Sequence, residues 1–182
     1  GEGYCGMTWW DTETYCLPLY LFNNPQAAPN LLTYRYRTLP QALERGAAGV
    51  IIRDVRRSMT FPPGVCVLSV RDTLTALGDV ASAYRARFAM PFVGITGSNG
   101  KTTTKEMAAH VLRAKGKLVY PKKSFNNYIG VPLTLFEVTP DVHAVILEMG
   151  TSGRGEISRL AEIARPTIGC ITNIGMSHLE SL

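Results

Sequence analysis

The stretch PFVGITGSNGKTTTKEM, from Pro91 to Met107, limits what this chain can fold into more than any other part of it. Phe92 to Thr96 is apolar and β-branched, which predicts a buried strand, and the composition from Lys101 onward opens a helix, so the glycines lie in the turn between them. Such a turn gathers backbone N–H groups on an anion. Gly97 and Gly100 lack the Cβ atoms that would keep the donors apart, and the helix that follows adds the positive end of its dipole. Lys101 is placed to reach the terminal phosphates of a nucleotide, and the Thr102 hydroxyl to ligate Mg²⁺. The longer G-x-x-x-x-G-K-[ST] spacing is not met, because Ile95 stands at its first position; the match is to the shorter T-G-x-x-G-K-T form. A glycine-rich turn carrying a surface lysine is the plain alternative, and the order of strand, turn, GKT and helix favours the nucleotide.

The remaining segments read as further α/β units. LPQALERGAAGVIIR predicts a helix ended by Gly46 and a strand at Val50 to Arg53. GVCVLSV predicts a second strand, and DTLTALGDVASAYRARF a helix capped by Asp72. Leu74, Leu77, Val80, Ala81 and Tyr84 recur at helical spacing and predict its core face. The helix after the phosphate loop is expected to run to about Lys115, with Met107, Val111 and Ala114 along one side and Gly116 as its stop. Asn126, Asn127 and Gly130 mark an ordered loop before a short apolar segment; Asn pairs are common in turns, so a ligand role is one of two readings there.

HAVILEMG predicts a strand that delivers Glu148 at its carboxyl end. In a parallel sheet that is the ligand-binding edge, shared with the phosphate loop, and an acid there suits Mg²⁺. The plain alternative is a glutamate paired with a nearby helix or lysine. GRGEISRLAEIA predicts an amphipathic helix, and TIGCITNIG a strand that places His178 just past its end. His110 and His143 are read as structural or merely exposed. The expected fold is thus α/β: an N-terminal domain over residues 1–88, whose first 38 residues show no sustained period, then a mostly parallel sheet over 89–182, cut short.

Composition narrows the class. With 182 residues, 46% hydrophobic and 18% charged, the chain can bury a sizeable core. A net charge of +5 admits an anionic partner, but Lys and Arg are scattered rather than striped, so no nucleic-acid partner is expected. Cys5, Cys16, Cys66 and Cys170 form no C-x-x-C pair, which predicts a reduced, cytoplasmic protein without a zinc site. No run reaches membrane-spanning length. The chain opens on Gly rather than Met and breaks off soon after His178, as expected of a piece of a longer protein.

Four strings, TGSNGKTTTKEM, FNNYIGVPLTL, LEMGTSGRGEI and RPTIGCITNIGMSHLESL, together resemble the central domain of the Mur ligases, most closely the type acting on D-Ala-D-Ala. The resemblance covers roughly residues 39–182. It implies an ATP-dependent amide-bond ligase of peptidoglycan synthesis, with UDP-MurNAc-tripeptide and D-Ala-D-Ala as substrates, an acyl phosphate intermediate, and a monomeric full-length protein. By motif position it implies that Gly97 to Thr103 cradle the phosphates and that Lys101, Glu148 and His178 are catalytic. It further implies that Thr102, Glu148 and His178 serve Mg²⁺, and that Asn126 and Asn127 face substrate. Tyr128 stands where the family string usually has an acidic residue. The D-[ST]-R and D-G-H strings of the family's uridine-nucleotide pocket have no match before Leu39, and the C-terminal domain that brings in the amine is absent, so this length of chain is expected not to ligate by itself. Another Mur-type or folylpolyglutamate-type ligase, or a nucleotide-binding fragment without turnover, are the other readings.

Overall fold

The computed structural model describes residues 17–18, 43–44, 46–53, 60–121 and 125–175. The chain divides into two compact units, Gly1–Ala76 and Leu77–Leu182. In the first, β1 (Leu17–Pro18), β2 (Gly49–Arg53) and β3 (Cys66–Val70) form one sheet in the order β1-β2-β3, antiparallel then parallel. β2 is the β-branched run GVIIR, and its first four residues are buried.

Helix α1 (Thr73–Arg85) begins as predicted: the Thr75 N–H donates to Asp72 Oδ1 at 2.5 Å, so Asp72 satisfies one orphan donor of the first turn. This bond, joined by the Arg53 charge, holds the Asp72 carboxyl below its usual value. A depressed carboxylate stabilises the fold above its unfolded pKa and loses that contribution as pH falls through the lower folded value. Asp72→Ala is expected to lower stability by about 1 kcal/mol at neutral pH. Denaturant titrations should find the difference between variant and parent shrinking below about pH 4; a difference that persists at pH 2 would contradict the cap.

Leu77 and Ala81 are buried, as the spacing predicts, but Leu74 is 38% exposed and drops out of the core face. Within the second unit the last turn of α1 is held by Arg85, whose guanidinium donates to Ala164 O (2.8 Å), Phe88 O (2.7 Å) and Arg165 O (2.9 Å) and lies 3.6 Å above the Phe92 ring. Burial, followed by the Arg165 charge, pulls the Arg85 guanidinium below its ordinary value.

The second sheet contains β4 (Phe92–Thr96), β5 (Leu118–Val119), β6 (Ala144–Glu148) and β7 (Ile168–Ile171) in the order β5-β6-β4-β7, every pair parallel. β4 is central, and all five residues of β6 are buried. Around it pack α2 (Lys101–Leu112), which tightens into a 3₁₀ turn at Arg113–Lys115, α3 (Gly130–Phe136) and α4 (Glu156–Ala164). α3 is buried at every position, as its unbroken apolar run demands.

α2 departs from its predicted face. Met107 and Val111 are 65% and 68% exposed, whereas Ala109 packs on Ile95 and Ile146 and Lys105 is fully buried. The small Ala109 lets the helix approach the sheet closely, and that approach turns the Met107–Val111 stripe outward. β7 has its outer side unpaired among the described residues, with Ile168 and Ile171 exposed. No helix among the described residues is long and apolar enough to cross a membrane.

Candidate nucleotide site

The carboxyl ends of β4, β6 and β7 lie side by side, so the phosphate loop, Glu148 and the turn at 172–175 share one sheet edge. The loop leaves β4 at Gly97 (φ 135°) and enters α2 through Gly100 (φ 79°). A Cβ on Gly97 would stand 2.1 Å from Thr172 Oγ1 and 2.9 Å from Asn173 O, so this position requires glycine. Gly100 offers no side-chain cap to α2, which leaves the first amides of the helix, at Lys101, Thr102 and Thr103, without a capping partner and aimed out of its positive end. Lys101 folds back over the loop, its Nζ donating to Gly97 O (2.6 Å) and Ser98 O (3.2 Å).

Glu148 is 1% exposed at the end of β6. Its Oε2 accepts from Thr102 Oγ1 at 3.0 Å and its Oε1 from Asn126 Nδ2 at 3.0 Å. Both donors are neutral, so a buried carboxylate sits beside a hydroxyl without a cation to compensate it among these partners. That donor set fits Mg²⁺, which takes hard oxygens, commonly one or two carboxylates, and completes its shell with phosphate and water. Among the described residues no group of three or more His, Cys, Asp or Glu could hold a metal without such help.

Asn126 is also fixed by its backbone, since Gly150 N–H donates to Asn126 O at 2.7 Å. Asn127 plays a different part: its Oδ1 accepts from Ile129 N–H (3.1 Å) and Gly130 N–H (2.9 Å) and so caps α3. Burial pushes the Tyr128 phenol above its ordinary value, and the Glu156 carboxylate adds to this against Arg159. The hydroxyl at that position is therefore neutral at physiological pH. The segment carrying these residues is tied at its start by Lys105, whose buried Nζ donates to Pro121 O at 2.8 Å and pairs with Glu106 Oε1 at 3.1 Å.

The structure thus brings Lys101, Thr102, Glu148 and Asn126 to one place; His178 lies outside the described residues. It directs the Ser98 and Asn99 amides away from the cradle, to Asn173 (3.1 and 2.9 Å). Two features escaped sequence reasoning. Lys105 reads as a solvent-facing helix residue, and only the small residues around it hint at burial. Thr172 and Asn173 fall within the predicted strand TIGCITNIG, but β7 ends at Ile171 and the two residues form the turn beyond it, at the carboxyl end of a strand beside β4.

Strand, glycine turn and uncapped helix on a parallel sheet define an α/β domain of the phosphate-loop class. Residues 95–182 match the Mur ligase middle domain, and the chain is a Mur ligase homologue. It is 46% identical over 144 residues to the UDP-N-acetylmuramoyl-tripeptide--D-alanyl-D-alanine ligase of Synechocystis, covering 79% of this chain and 31% of the relative. Among solved structures it is similar to MurF from Acinetobacter baumannii, with TM-score 0.69, 30% identity and coverage of 79% of this chain and 31% of that one. It is likewise similar to the MurF ligase from Thermotoga maritima in complex with ADP, with TM-score 0.66, 29% identity, and 79% and 33% coverage. The chain therefore spans about a third of the length of the relatives it matches. Residues 1–50 match a second family, the glycosyl hydrolase family 65 central catalytic domain. That stretch is where the D-[ST]-R and D-G-H strings of the uridine-nucleotide pocket are missing.

Proposed function

We propose that this chain carries the Mg-ATP site of an ATP-dependent amide-bond ligase that joins D-Ala-D-Ala to UDP-MurNAc-tripeptide. The observation that carries the reading is the buried Glu148, held by Thr102 and Asn126 directly below the uncapped start of α2. In this reaction class a substrate carboxylate attacks the γ-phosphorus of ATP, ADP leaves, and the incoming amine displaces phosphate from the acyl phosphate. Phosphoryl transfer of this kind depends on positioning and charge neutralisation rather than on covalent help from the protein.

The residues divide that work. The amides of Lys101, Thr102 and Thr103 hold phosphate oxygens at the positive end of α2. Lys101 exchanges its two loop carbonyls for the β- and γ-phosphates. Thr102 and Glu148 would hold Mg²⁺, which supplies charge neutralisation across the phosphates when bound; Asn126 keeps the Glu148 carboxylate oriented. His178 is proposed to assist a second Mg²⁺ near the carboxylate that is activated, and Asn126 with Asn127 to border the substrate. Nucleotide-linked substrates and ATP place the proposed reaction in the cytoplasm, with the full-length protein acting as a monomer.

Calorimetric titration with ATP tests this reading. Binding is expected with Mg²⁺ present and at least about tenfold weaker with EDTA, and Glu148→Gln is expected to remove most of that difference. ATP affinity that is the same with and without Mg²⁺ in the parent protein would overturn the metal assignment, and no binding in either condition would overturn the nucleotide assignment.

A further inference from the structure

We propose that the Thr172–Gly175 turn after β7 is a positioning clamp that divides the phosphate loop into a structural half and a ligand half. Every residue from Thr96 to Asn99 except Gly97 bonds to it. The Ser98 N–H donates to Asn173 O (3.1 Å) and the Asn99 N–H to Asn173 Oδ1 (2.9 Å). Ser98 Oγ donates to Gly175 O (3.0 Å) and accepts from Gly175 N–H (2.9 Å). Thr172 N–H donates to Thr96 O (2.9 Å), and Thr172 Oγ1 lies 2.5 Å from Asn99 O. Gly97 makes no bond to the turn, but its missing Cβ is what lets Thr172 and Asn173 come this close.

The consequence is an allocation of donors. The Ser98 and Asn99 amides are already committed, one of them to a side chain, and do not need an anion. The amides of Lys101, Thr102 and Thr103 have no cap, so the phosphate half of the loop starts at the helix. Asn173 acts through the loop: its amide oxygen holds Asn99 in the conformation from which Gly100 can turn into α2. An unclamped loop would sample many conformations and would have to be ordered by the nucleotide, which weakens binding by the fraction of time the loop is misplaced. Asn173 is therefore a positioning residue, and Ser98 serves the clamp rather than the phosphates.

This rests on the nucleotide reading above, and hydrogen exchange on the nucleotide-free chain separates the two. Asn173→Ala is expected to speed exchange of the Asn99 amide by about tenfold, the loss of roughly one hydrogen bond, while the Ser98 amide, whose acceptor is the Asn173 main-chain oxygen, and the α2 and β6 amides stay protected. Asn173→Asp keeps the acceptor oxygen and is expected to restore protection at Asn99. In titrations with Mg-ATP, Asn173→Ala is expected to bind about tenfold more weakly with an unchanged Mg²⁺ requirement. Unchanged exchange at Asn99 in Asn173→Ala, or failure of Asp to restore it, would overturn the clamp whether or not the chain binds ATP. Faster exchange with undiminished ATP affinity would overturn its positioning role. A parent chain that binds no Mg-ATP would sink the nucleotide reading, and the exchange result would still decide the clamp.

Discussion

Lys101→Ala is expected to weaken Mg-ATP binding by roughly a hundredfold, about 2.8 kcal/mol at about 1.4 kcal/mol per decade. In the nucleotide-free structure the ammonium lies on two carbonyls of its own loop, Gly97 O and Ser98 O. Those are neutral acceptors, so the swing to a polyphosphate replaces ion–dipole bonds by bonds to anionic oxygens, in which both partners are charged. The same trade predicts that stability changes little, by about 0.5–1 kcal/mol, because the released carbonyls are only partly buried. Lys101→Arg should not rescue: the planar fork is larger than the compact ammonium and needs a two-oxygen partner that the loop carbonyls do not mimic. Calorimetry alongside thermal denaturation checks both halves. Affinity within about threefold of the parent would contradict the role given to this side chain.

The largest expected loss of stability follows from Gly97→Ala. Its φ of 135° is outside the range that an alanine adopts without strain, at a penalty of about 1–3 kcal/mol. The new methyl would also meet Thr172 Oγ1 at 2.1 Å and the Asn173 backbone at 2.9 and 3.0 Å. A hydroxyl can rotate away, but the Asn173 main chain cannot yield without pulling on β7. The expected total is about 3 kcal/mol or more, lowering the thermal midpoint by about 6–12 °C. Adding Thr172→Ala should recover only a part, since the backbone contacts and the strained φ remain. A Gly97→Ala midpoint within about 2 °C of the parent would mean that the turn lies farther from the loop than described.

What the sequence made legible was local. The strand and helix flanking Gly97 to Gly100, the Asp72 cap and the delivery of Glu148 by β6 all follow from neighbours within a few positions, and each is found. What stayed hidden depends on partners far along the chain. Lys105 can be buried because a carbonyl 16 positions away accepts its hydrogen bond, and no periodicity in KTTTKEM signals that. Asn173 meets Asn99 across 74 positions, through a sheet order that places β7 beside β4. Met107 and Val111 mislead in the opposite sense, since an apolar stripe is the usual mark of a core face and here Ala109 takes the sheet instead. Asn127 is mixed: the turn chemistry that favours Asn is realised as a cap on α3, while its neighbour Asn126 reaches the carboxylate.

Among the described strands β7 is the last in sequence to join the sheet, at the far side of β4, and the site needs it. Closing β7 onto β4 has to offset the loop entropy of everything between them, including β5, β6 and three helices, whereas α2 and the loop that opens it can form on β4 alone. A molecule caught before that last pairing would hold Lys101 and Glu148 near their final places, with the Thr96–Asn99 stretch still searching. Because β7, like β5, has one flank unpaired among the described residues, and turns Ile168 and Ile171 outward, its pairing is one of those that thermal fluctuation reopens readily. The β4–β7 ladder and the bonds that hold the nucleotide loop then form one continuous seam, and loosening the first loosens the second.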